Sequence, residues 1–194
     1  ADSVMSHMPA DYEVFPIGIT QEGVWVEGVA NPAKGAELPV VKPGGEVALS
    51  LNPQRKGLLY DVTSGETITT IDAVFPVLHG KYGEDGTVQG LLEMAGVPYV
   101  GPGVLASACG MDKEYTKKLV AAVGIPVTRE VILDGARELT EAERSHLGLP
   151  VFVKPANGGS SIGVSKVTSW DALPDAVSLA LESDGKVIVE AELC

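Results

Sequence analysis

Cysteine is scarce. The 194 residues contain two, Cys109 and Cys194, far apart and outside any CxxC or Cys/His cluster. That excludes a disulfide framework and leaves a structural zinc site without support. Basic residues are outnumbered, 14 Lys and Arg against 26 Asp and Glu, for a formal net charge of −12. A broad nucleic-acid surface needs clustered Lys and Arg and is therefore excluded, so any phosphate bound here must be held locally. No apolar run approaches the roughly 20 residues that cross a bilayer. No charged segment followed by an apolar one opens the chain, so no leader is read and no membrane partner is expected. What is present is a core: 45% of the residues are hydrophobic, mean hydropathy is +0.18, and Val, Ile and Leu run along the whole chain. Wholesale disorder is thereby excluded. The length suits one large or two small domains, and a reducing cytoplasm suits the cysteine usage.

The pattern alternates between strand and helix, the signature of an α/β fold. The first seven residues, to His7, read as the end of an amphipathic helix, Tyr12 to Ile19 as a strand, and Gln21 to Val26 as a turn with a short strand. Residues 28–57, rich in Gly, Pro and Ala, read as loop with short strand pieces. Asp72 to Leu78 is a continuous apolar run, the pattern of a strand buried on both faces of a parallel sheet, although Pro76 weakens the pairing there. Val88, Leu91, Leu92 and Ala95 then fall on one helical face that Gly96 ends. A second helix is expected from Asp112 as N-cap to Gly124, with Tyr115, Leu119 and Ala122 along one stripe. Thr140 and Glu143 have capping-box spacing for a helix ending at Gly148, and Thr168 and Asp171 repeat it before Leu173, Val177 and Leu181. Pro150 to Lys154, Ile162 to Val167 and Lys186 to Glu190 read as strands. The domain break is placed between Tyr99 and Lys113, at Gly101-Pro102-Gly103. No repeat of fixed period is present.

Two loops carry candidate chemistry. In Lys154-Pro-Ala-Asn-Gly-Gly-Ser-Ser-Ile-Gly163 a lysine ends an apolar strand, and glycines and serines follow. Small residues let backbone N–H groups approach an anion, and a strand-anchored ammonium supplies a fixed charge against phosphate. It is not a Walker A loop, because the Lys precedes the glycines and a strand follows. A glycine-rich hairpin with a solvated Lys fits the same residues. His79-Gly-Lys-Tyr-Gly-Glu-Asp-Gly86 follows an apolar run and precedes a helix, where α/β proteins build ligand sites. A polar turn in which Asp85 or Thr87 merely caps the helix is the blander reading. Lys113 is unusual in a first helical turn, where acids are favoured. Glu190, at a strand end, is placed to accept a hydrogen bond from a ligand amine, or is simply solvated. His7 and His146 lie on helix surfaces without a nameable partner.

Together these segments are specific. Val74 to Glu93 (VFPVLHGKYGEDGTVQGLLE), Pro98 to Ser107, Met111-Asp-Lys113, Pro150 to Pro155 and Gly158 to Ser165 resemble the D-alanine–D-alanine ligase family of the ATP-grasp superfamily, and look most like a bacterial, actinobacterial member. The resemblance implies an N-terminal Rossmann-like parallel-sheet domain (1–101), the central part of an ATP-grasp fold (102–191), and the start of a C-terminal domain (192–194). It implies ATP-dependent condensation of two D-alanines through a D-alanyl phosphate for peptidoglycan precursors, in the cytoplasm, by a homodimer with Mg²⁺ or Mn²⁺. Carried over residue by residue, Lys113 and Lys154 match phosphate-contacting lysines. Ser160 matches a serine orienting substrate and the closing loop, with Ser161 beside it over the nucleotide. His79 matches a histidine near the first D-alanine, Glu84 a loop acid close to it, and Glu190 a carboxylate at the adenine pocket. Ser160 and His79 are thus the candidate catalytic residues.

The departures shape the expectation equally. The family's first strand, with its Gly-Gly-Arg-Ser-type loop, and the C-terminal part with metal ligands, an arginine and a Lys-Tyr lid have no counterpart here, so no residue of this chain is assigned to a metal. A literal 194-residue polypeptide is expected to be inactive and its parent protein to be the ligase. Two alternatives stand beside this reading: a D-alanine–D-lactate or D-alanine–D-serine ligase, and a non-catalytic nucleotide-binding fragment.

Overall fold

The computed structural model describes residues 2–28, 45–159 and 161–193. The chain divides into two compact units, one of residues 1–77 with 89–101 and one of residues 78–88 with 102–194.

In the first unit, helix α1 (Asp2–Ser6) precedes an antiparallel pair, β1 (Ile17–Ile19) and β2 (Trp25–Glu27). A three-stranded antiparallel sheet follows, β3 (Val47–Leu49), β4 (Leu58–Asp61) and β5 (Thr67–Thr70), in the order β3-β4-β5. The β4–β5 turn is closed by the Asp61 carboxylate, which accepts from the Thr63 and Ser64 amides at 2.9 and 2.7 Å. Such Asx-type turns arise because a short acid can mimic the backbone's own hydrogen bonds. Helix α2 (Thr87–Ala95) buries Leu92 and Ala95 as the spacing predicts, and Gly96 ends it at φ 69°.

The expected strand from Asp72 to Leu78 does not form among the described residues. Pairing is reduced to one parallel bridge, Val74 with Tyr99, and Phe75 and Val77 are 52% and 41% exposed. Pro76 has no N–H to give a ladder, and a run reads as a doubly buried strand only where layers cover both faces. The strand expected from Tyr12 is likewise confined to Ile17–Ile19, beyond Pro16. Of the loop expected over 28–57, residues 29–44 lie outside the described residues, while β3 and a 3₁₀ turn (Pro53–Arg55) occupy the rest.

The second unit carries α3 (Val104–Met111), α4 (Lys113–Ala122), β6 (Glu130–Asp134), α5 (Glu141–Leu147), β7 (Val151–Pro155), β8 (Ser165–Val167), α6 (Leu173–Leu181) and β9 (Lys186–Ala191). Its four strands form one antiparallel sheet in the order β6-β9-β7-β8. Asp112 caps α4 by accepting from the Glu114 and Tyr115 amides. The Thr140–Glu143 box caps α5 with both of its hydrogen bonds, and Gly148 ends it at φ 69°. The box expected at Thr168–Asp171 is replaced by a 3₁₀ turn (Trp170–Ala172), after which α6 begins at Leu173 with Pro174 in its first turn. Proline is favoured at a first turn because its missing N–H would be unpaired there anyway. Leu133, Val151, Val153, Val187, Val189 and Ala191 of the sheet form a core with Leu173, Ala176, Val177 and Ala180 of α6 and Leu147 of α5.

Candidate functional site

Strand periodicity builds the site. Because side chains alternate across a sheet, Val151, Val153, Val187 and Val189 point to the core, and the residues between them point the other way. Phe152 lies opposite Glu190, Lys154 opposite Ile188, Ile132 opposite Ile188 and Glu130 opposite Glu190. The second face thus carries Lys154, Glu130, Lys186 and Glu190 set among Phe152, Ile132 and the fully buried Ile188, charged groups where the first face has none.

Helix α4 meets that face with charge rather than with apolar surface. Tyr115 and Leu119 of its expected stripe are 52% and 54% exposed, while the Lys117 side chain retains only 14% of its exposure. The reason is ionic. The Lys117 ammonium pairs with Glu130 of β6, with Glu190 of β9 at 2.7 Å, and donates to the Thr128 hydroxyl at 2.7 Å. Lys186, at the start of β9, reaches back to Asp112 at 2.5 Å and Glu114 at 2.8 Å. Burial pushes the Lys186 ammonium down, but its two carboxylate partners outweigh that and raise it.

The small-residue loop is held between α4 and β9. The Lys113 amide donates to the Ala156 carbonyl at 3.0 Å, and its ammonium donates to the Ala156 and Gly158 carbonyls at 3.3 and 2.8 Å. Asn157 donates through its amide and side chain to Asp184. Gly158 at φ 146° and Gly163 at φ 69° give the loop its shape, and Ser161 adopts a left-handed φ of 58°. Burial and the neighbouring Lys154 charge push the Lys113 ammonium down, with weaker opposition from Asp112, Asp184 and Glu190. Two ammonium groups from different elements, α4 and β7, therefore converge where the loop begins.

Glu190 is the hub. Its Oε1 accepts from Lys117 and from the Thr128 hydroxyl, and its Oε2 pairs with Lys154. Burial pushes this carboxyl up, but the hydrogen bonds from Lys117, Lys154 and Thr128 more than reverse it and hold the group at about 2. It is an anion at any neutral pH.

Of the residues singled out in the sequence, Lys113, Lys154 and Glu190 are brought together. Ser161 lies exposed on the loop they border, and Ser160 lies outside the described residues. His79 and Glu84 occupy a separate, self-bonded loop. There Glu84 accepts from the Gly80 amide at 2.5 Å, and Asp85 accepts from the Tyr82 and Thr87 amides at 2.8 and 3.0 Å. His79 is exposed, with no partner among the described residues. Asp85, one of the two cap candidates, thus holds the first amide of α2. Sequence reasoning missed Lys117, Thr128 and Glu130. Lys113 and Lys117 are four apart and so share a helix face, which is the signal that was available for the first of them. Among the described residues no group of three His, Cys, Asp or Glu side chains suits a metal ion; the clustered acids are already engaged by lysines. The described residues do not fit a metal centre.

The family model described as "D-ala D-ala ligase N-terminus" matches residues 1–102, and that described as "D-ala D-ala ligase C-terminus" matches residues 119–194. The chain belongs to the D-alanine–D-alanine ligase family. The D-alanine–D-alanine ligase of Corynebacterium diphtheriae is 56% identical over 198 residues, covering 100% of this chain and 54% of the relative. That of Rhodococcus opacus is 56% identical over 201 residues, covering 98% and 55%. The likeness to actinobacterial members of the D-alanine–D-alanine ligase family is thus borne out. Among solved structures, the VanG D-Ala:D-Ser ligase of Enterococcus faecalis superposes with a TM-score of 0.80 at 35% identity, over 98% of this chain and 56% of that one. The D-alanyl-alanine synthetase A of Vibrio cholerae superposes at 0.78 and 28% identity, over 100% and 54%. The α/β, ATP-grasp fold of the family is therefore that of this chain, which spans about half the length of the curated relatives it matches.

Proposed function

We propose that the protein carrying this chain joins two D-alanines at the expense of ATP, through a D-alanyl phosphate, for peptidoglycan precursors. One observation carries the reading: Lys113 and Lys154 converge on the loop that opens at Ala156, and among the described residues neither has an ion-pair partner except the Glu190 that Lys154 shares with Lys117. Neighbouring ammonium groups repel, and a polyphosphate relieves that repulsion. Family membership supports the same ligand.

In this reading the N-terminal substrate domain runs through residue 101, the central ATP-grasp part spans 102–191, and 192–194 begin a further domain. Lys113 and Lys154 hold the nucleotide's phosphates. Ser160 and Ser161 are assigned to the nucleotide as well, and Glu190 accepts a hydrogen bond from the exocyclic amine of the base. His79 and Glu84 serve the first D-alanine, with Ser160 and His79 acting on the reacting groups. The carboxylate of the first D-alanine takes the γ-phosphoryl group, and the amine of the second then attacks that acyl carbon and expels phosphate. These residues contribute positioning and charge, which is most of what phosphoryl transfer asks of a protein. Mg²⁺ or Mn²⁺ belongs to the family chemistry, but the described residues offer it no ligand set, so no step is routed through it. A homodimer in the cytoplasm completes the proposal.

The test is D-alanine-dependent phosphate release from ATP by the full-length protein, with the dipeptide identified by mass and with D-serine and D-lactate offered as acceptors. Release with D-alanine alone supports the proposal. Incorporation of D-serine or D-lactate in preference to a second D-alanine redirects it to a ligase of different acceptor, the activity that the VanG relative's name states for D-serine. No release with any acceptor overturns it.

A further inference from the structure

Glu130 and Glu190 lie directly opposite each other on β6 and β9. Like charges in that relation destabilise a sheet, yet both side chains are largely buried, at 17% and 15% exposure. Lys117 stands between them: its ammonium donates to Glu190 and to Thr128 and is ion-paired with Glu130. Glu190 in turn divides its two oxygens. Oε1 belongs to Lys117 and Thr128, and Oε2 to Lys154.

Lys154 differs from Lys117 in one respect. It has no acceptor besides Glu190 among the described residues, and it stands at the mouth of the small-residue loop. An anion in that loop competes for it. Once Lys154 leaves, Oε2 is vacated for a hydrogen-bond donor, and the carboxylate needs another cation to remain ionised in a largely buried place. We infer that Lys117 is the positioning residue for Glu190: the retained counter-ion that keeps its carboxylate charged and oriented for a nucleotide's exocyclic amine after Lys154 transfers to phosphate.

The inference rests on the nucleotide reading above and deepens it. A hydrogen bond to a base amine, remote from the transferred phosphoryl group, is the same in ground and transition states, so its loss falls on nucleotide binding and KM rather than on kcat. Lys117 touches neither nucleotide nor reacting atoms, so its effect on the base amine passes through Glu190, whereas loss of its pairing with Glu130 would weaken all nucleotides alike.

The full-length protein, unsubstituted and as Lys117→Met, Lys117→Arg and Thr128→Val, is titrated with ATP and with inosine triphosphate, which has an oxygen where ATP has the amine. Dissociation constants come from calorimetry, and KM and kcat from phosphate release. In Lys117→Met the dissociation constant and KM for ATP rise about tenfold, kcat changes far less, and the preference for ATP over inosine triphosphate shrinks. Thr128→Val, which keeps the charge, moves the preference in the same direction by less, and Lys117→Arg restores most of it. Equal weakening of both nucleotides marks a merely structural role and overturns the inference. An unchanged preference in Lys117→Met does so too, as does an unchanged preference in Thr128→Val should Lys117→Met not fold. An unsubstituted protein that binds ATP and favours it over inosine triphosphate, but releases no phosphate with D-alanine, overturns the ligase proposal alone, and the Lys117 comparison is then read from the dissociation constants. Absence of ATP binding overturns both.

Discussion

Lys154 and Glu190 lie on adjacent antiparallel strands, two residues out of register, so that the ammonium of β7 reaches diagonally across one sheet face to the carboxylate of β9. Diagonal partners on a sheet are within reach of long side chains. The pair occupies the face away from the core, while Val153 and Val189, directly opposite each other on the same two strands, seal the other side.

Removing the lysine tests the phosphate role. Lys154→Ala in the full-length protein is expected to lose a factor of about 10² or more in ATP turnover, the usual consequence of deleting a charge aimed at a developing phosphoryl transition state. Steady-state phosphate release measures it. Near-normal turnover would mean that Lys154 does no more than pair with Glu190.

The acid limb of stability should report Glu190. Its folded carboxyl sits at about 2, below its unfolded value near 4.3. The stabilisation is complete above the unfolded value and is lost as pH falls from about 4.3 towards 2, up to on the order of 3 kcal/mol. Glu143 is also held at about 2, first by Arg137 and then by the Thr140 amide, but that pair is more exposed and solvent screens it. Urea midpoints followed across pH should therefore flatten more in Glu190→Gln than in Glu143→Gln; the reverse order would show that the buried cluster does not govern acid stability.

Thr140→Ala removes both hydroxyl contacts of the capping box on α5, leaving only the return bond from the Thr140 amide to Glu143 at 2.8 Å. A loss of about 1 kcal/mol is expected, read from the denaturation midpoint of the second unit's transition. Thr140→Ser should retain most of it.

Gly57 and Gly65 make a controlled comparison within the first unit. Both adopt left-handed φ, 70° and 73°, but a Cβ on Gly57 would fall 1.8 Å from the Ile71 carbonyl oxygen, while one on Gly65 meets nothing within 4 Å. Gly65→Ala should cost about 1–2 kcal/mol from backbone strain alone. Gly57→Ala should cost clearly more, because the Ile71 carbonyl is main chain of the β5 end and must move. Equal midpoints for the two variants would contradict the geometry.

Local information was legible wherever a short stretch carries its own physics. The Thr140–Glu143 box, the Asp112 cap and the glycines ending α2, α4 and α5 are all satisfied by neighbours in sequence, and each formed as read. Asp72 to Leu78 was misread because a doubly buried strand is a property of the layers around it, not of the run itself. The stripe on α4 was misread in the same way: Tyr115 and Leu119 have helical spacing, but the sheet presents carboxylates to that helix, and the lysine side turns inward.

The sequence by itself determined the α/β class, the family through its ordered motifs, and the chemical character of each candidate: an ammonium before a small-residue loop, a carboxylate at a strand end. Only the tertiary structure decided that Lys117 and Lys154, drawn from α4 and β7, meet Glu130 and Glu190 of β6 and β9, with Lys113 beside them on the carbonyls of the loop. It decided too that His79 and Glu84 stand in a loop of their own. Charge is a property of a side chain, whereas ion pairing depends on which strands are neighbours, and the order β6-β9-β7 that sets it is fixed by contacts between residues dozens of positions apart.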